Sequence, residues 1–417
     1  MNTEFSLDTI DVIGPDHYAK NGYPHAEWAY LRKHKPVFRV ERPNADPFWA
    51  ITKHADVTDI SRKPNLWHNA PRMAVFTAEL NEPTQRPEAP MFRQLLNMDP
   101  PDHGAYRSVL SRHFTPRSVR TLQPQIEEIT RKVLDDIADR SECDFVTEIS
   151  SKVPLAVIAE LLGAPRKDWE MLFRWTNETI GSGDPEFQQG ANALESVQRA
   201  RLEMFQYFSE MVAERQKHPT NDITSMVANG RVNGSPLPVL ELLSYLFVLV
   251  VAGNETTRNA TTGGLLAFIE NPDQWQRLKG DRSLLPSAVE EIARWTSPVI
   301  QFARTATTDT EVHGQKIRAG ESVCLFYPSA NRDEEVFEEP FKFDIGRDPN
   351  PHLAFGIGEH FCLGANLARL ELEVIYRQMV ERLVNPELAG PVQRLRSSFV
   401  GGIKHMPIRY KMLPAHN

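Results

Sequence analysis

The stretch Phe355-Gly356-Ile357-Gly358-Glu359-His360-Phe361-Cys362-Leu363-Gly364 restricts the fold of this 417-residue chain more than any other. One cysteine stands in a loop punctuated by glycines, and a helix-like run, Ala365-Asn366-Leu367-Ala368-Arg369-Leu370-Glu371, follows at once. Backbone N–H groups at a helix start, with the amides of the loop itself, stabilise a negative sulfur. Gly358 and Gly364 remove side chains where the backbone bends sharply or meets a flat group closely. The chain is committed to a loop that presents one sulfur, with a helix directly behind it. A lone cysteine is more often a small buried apolar residue, and it is the surrounding glycines, the phenylalanine and the helix that favour a ligand thiolate.

The setting is that of an ordinary globular enzyme. The net charge is −8, which argues against a nucleic-acid partner, and no block of like charge forms a tail. No Gly/Ser run, low-complexity tract or internal repeat divides the chain, so one domain over residues 1–417 is expected. The three cysteines, Cys143, Cys324 and Cys362, have no framework spacing, which suits a reducing compartment and gives no CxxC-type metal site. Met1 to Ser6 has neither a basic region nor an apolar core, and the longest apolar stretch, Leu246 to Gly253, is too short to span a bilayer. A cytoplasmic location without a membrane partner is expected.

The layout is mainly α with minor β. Pro36 to Val40 and Phe48 to Thr52 read as a strand pair around the turn-rich Asn44-Ala45-Asp46-Pro47. Helical periodicity runs over Leu122 to Ile137, Val197 to Arg215, Pro238 to Glu270, Pro286 to Trp295 and Leu363 to Leu383. Ser322 to Phe326 is a short apolar strand.

The cysteine run resembles the haem-binding loop of the cytochrome P-450 family, whose pattern is Phe, two residues, Gly, three residues, Cys, one residue, Gly. Phe355, Gly358, Cys362 and Gly364 fill every fixed position. The resemblance implies the family's fold, a helical prism enclosing haem with small β-sheets. It also implies heme b as cofactor, with iron bound axially by the Cys362 thiolate.

Four further segments agree in order along the chain. Within the apolar helix, Gly253 precedes the polar Asn254-Glu255-Thr256-Thr257. Glycine beside hydroxyl residues is a cause of kinks, although a packing glycine with exposed polar neighbours is the plainer reading. The family holds an acid–alcohol pair here that relays protons, which makes Glu255 the acid and Thr256 the alcohol. Val248 and Ala252 precede Thr256 at one-turn spacing and share its face. Glu291 and Arg294 stand at i,i+3 on a helix; such a pair is usually a solvated one of little worth. In the family it is buried and joined by a third basic residue, here Arg347, in a structural role. Arg304 matches the family's propionate-binding arginine, with an ordinary strand arginine as the plain alternative. His103 and Arg107 follow the helix-entry signal Asp99-Pro100-Pro101-Asp102 at i,i+4. A surface stripe is their bland reading, whereas the resemblance makes both propionate ligands, together with His360.

The implied activity is a haem-thiolate monooxygenase using O2. No GxGxxG follows a strand, so electrons come from a separate donor, expected to be a ferredoxin with its ferredoxin reductase. Arg112 and Arg369 are docking contacts or simply solvated side chains. Several segments resemble bacterial hydroxylases of sterol side chains, methyl-branched lipids and monoterpene alcohols. An apolar terpenoid or steroid-like small molecule is therefore expected, with small aromatic hydrocarbons and a non-catalytic haem sensor as alternatives. Expected pocket residues are Met73, Phe76, Val248, Ala252, Val299, Ile300, Phe302 and Val400, each equally at home in a core. Residues 68–96 and the helices near 173–208 are expected to set specificity, and Gly181-Ser182-Gly183-Asp184-Pro185 reads as a hinge.

Overall fold

The computed structural model describes residues 7, 10–42, 45–75 and 93–414. Phe76 and most of the expected specificity segment lie outside them. The architecture is mainly helical with small sheets, and its organising element is the helix Val239–Glu270, hereafter the central helix. Its apolar residues form more than one stripe, because helices pack on several of its sides: Lys152–Leu162, Trp169–Ile180, Ala193–Lys217, Leu285–Thr296 and Ala365–Arg382. By length and composition this helix could cross a membrane, a longer apolar element than the Leu246 to Gly253 run suggests. Here it lies in the main core cluster instead.

The central helix runs unbroken through Gly253. A Cβ at Gly253 would sit 3.1 Å from Ile158 Cγ1, so the glycine admits close approach of a neighbouring helix rather than a kink. Gly253 is thus a packing glycine, as in the plainer reading, but its polar neighbours Asn254, Glu255 and Thr257 are buried rather than exposed.

The expected strand pair is present as Val37–Arg42 antiparallel to Ala45–Ile51. Ser322–Phe326 lies parallel to Ala45–Ile51 on one side and antiparallel to Gln301–Ala306 on the other, and Trp67–His68 completes a five-stranded sheet. Two smaller apolar clusters flank this sheet, one around Trp28, Phe48 and Phe326, the other around Ile51, Val323 and Leu325. The remaining helices keep their expected places at Gln123–Asp135, Ala193–Lys217 and Leu285–Thr296. Proline in the first turn opens the first and third, and the Asn192 side chain caps the second by accepting from Glu195 N–H. The cysteine loop leads directly into Ala365–Arg382, which carries it against the central helix.

Candidate haem-binding active site

Residues 355–364 fold as a bend held from within. The Cys362 amide donates to the Phe355 carbonyl at 2.8 Å, and Gly358–His360 makes one 3₁₀ turn between them. Gly358 has φ +79°, and a Cβ there would overlap the Ser61 carbonyl at the end of the helix His54–Ser61. Only glycine fits that conformation and that contact. The Cys362 sulfur accepts from the Gly364 amide, as the helix-start argument requires. Burial nevertheless pushes the thiol up from its ordinary value, so the protein alone keeps it protonated. A coordinated metal ion reverses this, since a coordinating thiol is deprotonated outright.

Beside the sulfur lies a crowd of cationic and imidazole groups. The rings of His103 and His360 stack with centroids 4.0 Å apart, and His103 Nδ1 meets Glu359 Oε1 at 3.0 Å. Arg107 Nη2 donates to the Phe361 carbonyl at 2.6 Å. His103, on the helix Asp102–Ser111, is therefore fixed to the cysteine loop together with Arg107. Arg304 is buried on Gln301–Ala306, where it donates to the carbonyl of its neighbour Ala303. Among the described residues, the buried Nε2 atoms of both histidines have no hydrogen-bond partner. Burial, then the charges of His103, Arg304 and Arg107, push His360 down to about 2. Such an excess of donors and positive potential calls for anionic oxygens.

The central helix, too, opens at one place. Ala252 is exposed and Thr256 half-exposed, although the positions around them are buried. Thr256 Oγ1 donates to the Ala252 carbonyl at 2.8 Å. Glu255, one residue earlier, is buried and turned toward the helix Trp169–Ile180. There it lies against Arg258 Nη2, while Arg258 Nη1 donates to Asn177 Oδ1 at 2.7 Å and Asn254 Nδ2 donates to Thr176 Oγ1 at 2.9 Å. Burial pushes the Glu255 carboxyl up, and the Arg258 guanidinium opposes it. Arg258 escaped the sequence reading. The signal was there, since Glu255-Thr256-Thr257-Arg258 repeats the spacing of Glu291 and Arg294.

On the sulfur side, Arg294 and Glu291 are fully buried and bidentate, with 2.7 Å contacts from Nε and Nη2. Arg347 Nε reaches Glu291 Oε2 at 3.2 Å, and Arg294 also donates to the carbonyls of Asn331, Pro340 and Lys342. Arg369 is not a free surface charge: it pairs with Glu290 at 2.6 Å and lies over the Phe355 ring. Arg112 is exposed and bonds only the neighbouring His113 ring.

The expected pocket residues separate. Val248, Ala252 and Thr256 follow one another by single turns on the central helix. Val299 pairs with Val400 in an isolated bridge, Phe302 packs edge-to-face on Phe399, and the Met73 carbonyl accepts from Ala303. Ile300 is fully buried in the cluster of Trp28 and Phe326, which makes it core rather than lining. In the stretch expected as a hinge, Gly181 to Asp184 are buried and Asp184 accepts from three donors.

The residues present fit haem. A buried cysteine sulfur sits at a helix start, and arginines and unpartnered imidazole nitrogens gather at its loop, a donor set that suits two carboxylates. The family model for cytochrome P450 matches residues 73–387. The chain is 38% identical over 409 residues to a steroid C26-monooxygenase of Rhodococcus jostii, covering 96% of this chain and 85% of that one. It is 36% identical over 411 residues to cytochrome P450-terp of a Pseudomonas species, covering 96% of each. A crystal structure of a Mycobacterium marinum cytochrome P450 in complex with pseudoionone superposes with a TM-score of 0.89 at 32% identity, covering 98% of this chain and all of the other. With the loop, the donors and these likenesses in agreement, the chain belongs to the cytochrome P450 family and is a monooxygenase that binds haem through the Cys362 thiolate.

Proposed function

We propose that this monooxygenase hydroxylates a C–H bond of an apolar terpenoid or steroid-like small molecule in the cytoplasm, with electrons from a ferredoxin and its reductase. One cluster carries the reading: at the cysteine loop the His103 and His360 rings stack with their Nε2 atoms unpartnered among the described residues, and the central helix is exposed at Ala252 and half-exposed at Thr256. Haem bound there supplies the reductive activation of dioxygen, one atom going to the substrate carbon and the other leaving as water.

The chain's own residues do the rest. His103, Arg107, Arg304 and His360 would hold the two propionates, and the buried Glu291–Arg294–Arg347 cluster locks the segment that leads into the cysteine loop. Thr256 presents its hydroxyl to the open face, and Glu255 supplies the proton that Thr256 passes on. Val248, Ala252, Phe302 and Val400 surround the substrate with apolar surface, which positions it by exclusion of water rather than by fixed hydrogen bonds. The names of the steroid and terpene relatives support this substrate class.

Arg62, Arg112, Arg117 and Arg120 are exposed around the cysteine loop and have no acidic partner among the described residues, despite a net charge of −8 for the chain. Phe361 stands 38% exposed among them. A basic ring around an apolar centre suits an acidic ferredoxin, whose encounter it would steer. The test is a screen of terpenoids, steroids and small aromatic hydrocarbons for the spin-state shift of the haem, followed by turnover with a ferredoxin. Hydroxylated terpenoid or steroid is expected. Turnover of aromatics alone would replace the substrate class, and binding without turnover by any donor would favour a sensor.

A further inference from the structure

The turn of residues 181–192, between Trp169–Ile180 and Ala193–Lys217, is tied to the hairpin formed by Gln393–Arg394 and Ile403–His405. Asp184, 1% exposed, accepts from Lys404 Nζ at 2.8 Å and from the Arg396 amide at 3.0 Å. Arg396 Nη1 donates to the Gly183 carbonyl at 2.7 Å, and Lys404 reaches Glu186 at 3.1 Å. His405 bridges two carboxylates, Asp144 through Nδ1 and Glu186 through Nε2, the latter at 2.8 Å. The same hairpin carries Val400, and its tip is sewn to the pocket strand by Ile300 N–H to Phe399 and Gly401 N–H to Pro298, both at 2.8 Å.

We propose that Lys404, Arg396 and His405 form a clasp that holds this turn closed over the pocket, and that loss of the His405 proton loosens it, so that ligands enter and leave faster as pH rises. The inference rests on the reading of Val400 as pocket lining. His405 faces Asp144 from the strand Glu142–Asp144 and Glu186 from the turn, while its hairpin neighbours Lys404 and Arg396 engage Asp184 and, from the helix Pro15–Asn21, Asp16. Glu148, on the adjoining turn Val146–Ser150, is engaged by Lys152 and Arg140. Burial opposes the imidazolium, but Asp144 and Glu186 outweigh it and raise His405 above its ordinary value. A raised histidine contributes fully below its unfolded pKa, and its contribution is lost as pH climbs through the folded one. Asp184 and Lys404 have shifts in the opposite sense to burial's, toward the charged forms, so their pair persists across this range and His405 is the variable member.

The test uses the haem-loaded protein and clotrimazole, an azole whose ligation of haem iron shifts the absorption band. Its dissociation rate should rise about threefold to tenfold between about pH 6 and about pH 8.5, the size expected for a partly exposed charge pair. His405→Gln should release it fast at every pH, with faster amide exchange at residues 181–190. Should His405→Gln fold poorly, Glu186→Gln removes the same bridge from the turn side and should behave alike. A wild-type rate independent of pH overturns the proposal. So does unchanged exchange in the variants, or faster exchange with unaltered azole release. An absent azole shift in the wild type would strike instead at the haem site itself.

Discussion

Two Glu-x-x-Arg pairs flank the site, and they are built from the same local geometry to opposite ends. On the sulfur side, Glu291 and Arg294 meet bidentately and are held further by the Arg347 and Asn350 side chains, the Asp344 amide and the carbonyls of Asn331, Pro340 and Lys342. On the open side, Glu255 and Arg258 meet on the central helix, but among the described residues Arg258 Nε has no hydrogen-bond partner and the pair's other contacts are the side chains Thr176, Asn177 and Asn254. Backbone partners cannot rotate away, whereas side-chain partners can. The i,i+3 spacing therefore specifies only that two residues meet; the number and kind of their other partners decide whether the pair is a lock or a movable proton holder.

The comparison can be broken most forcefully at Arg294. Arg294→Ala leaves a buried carboxylate against emptied carbonyls, and about 3–5 kcal/mol of stability should be lost. Denaturant unfolding should show it, together with poor haem retention; a loss under about 1 kcal/mol would deny the pair its role as a lock. Arg258→Met should cost less stability, because fewer fixed partners are stranded. Its sharper effect is on pH. With the guanidinium gone, burial drives Glu255 further up, and a carboxyl raised in the folded state favours its protonated form. Its contribution to stability is greatest below its unfolded pKa and falls as pH climbs toward the folded one. The pH profile of kcat should shift its limb to higher pH in Arg258→Met, and an unmoved profile would remove Glu255 from the relay.

Thr256→Ala should leave stability within about 0.5 kcal/mol, since this hydroxyl bonds only back to the helix it sits on. Product formed per electron pair should drop, with hydrogen peroxide released instead; retained coupling would place the proton path elsewhere. The smallest effect separates core from lining. Ile300→Val should cost about 0.5–1.5 kcal/mol and leave the product pattern unchanged. Val400→Ala should change the product pattern in addition to its own stability cost, because Val400 is itself buried. Reversal of the two would overturn the placement of the pocket.

Much of this was legible because it is local. The glycine-punctuated cysteine loop, the helix behind it and the unbroken apolar run Ser322–Phe326 carry their signals within a few residues, even though the strand's pairing partners are distant. The Glu291–Arg294 spacing was equally visible, but its burial was not, because the carbonyls that receive Arg294 lie 37–48 residues distant. Gly253 misled for the same reason: its partner, Ile158, comes from another helix, and composition cannot say that two helices touch there. The stretch Gly181 to Pro185 looked free because glycine permits motion, yet Asp184 is held by Lys404 and Arg396, more than 200 residues away. Ile300 looked like pocket lining until the N-terminal cluster around Trp28 claimed it.

The most direct test of the whole account is the absorption spectrum of the purified protein, reduced with dithionite under carbon monoxide. A Soret band at the wavelength from which the family takes its name is expected in the wild type and should be lost in Cys362→His. A wild-type band at the position of histidine or neutral-thiol ligation would contradict the account, because Cys362 would then not hold the iron as a thiolate.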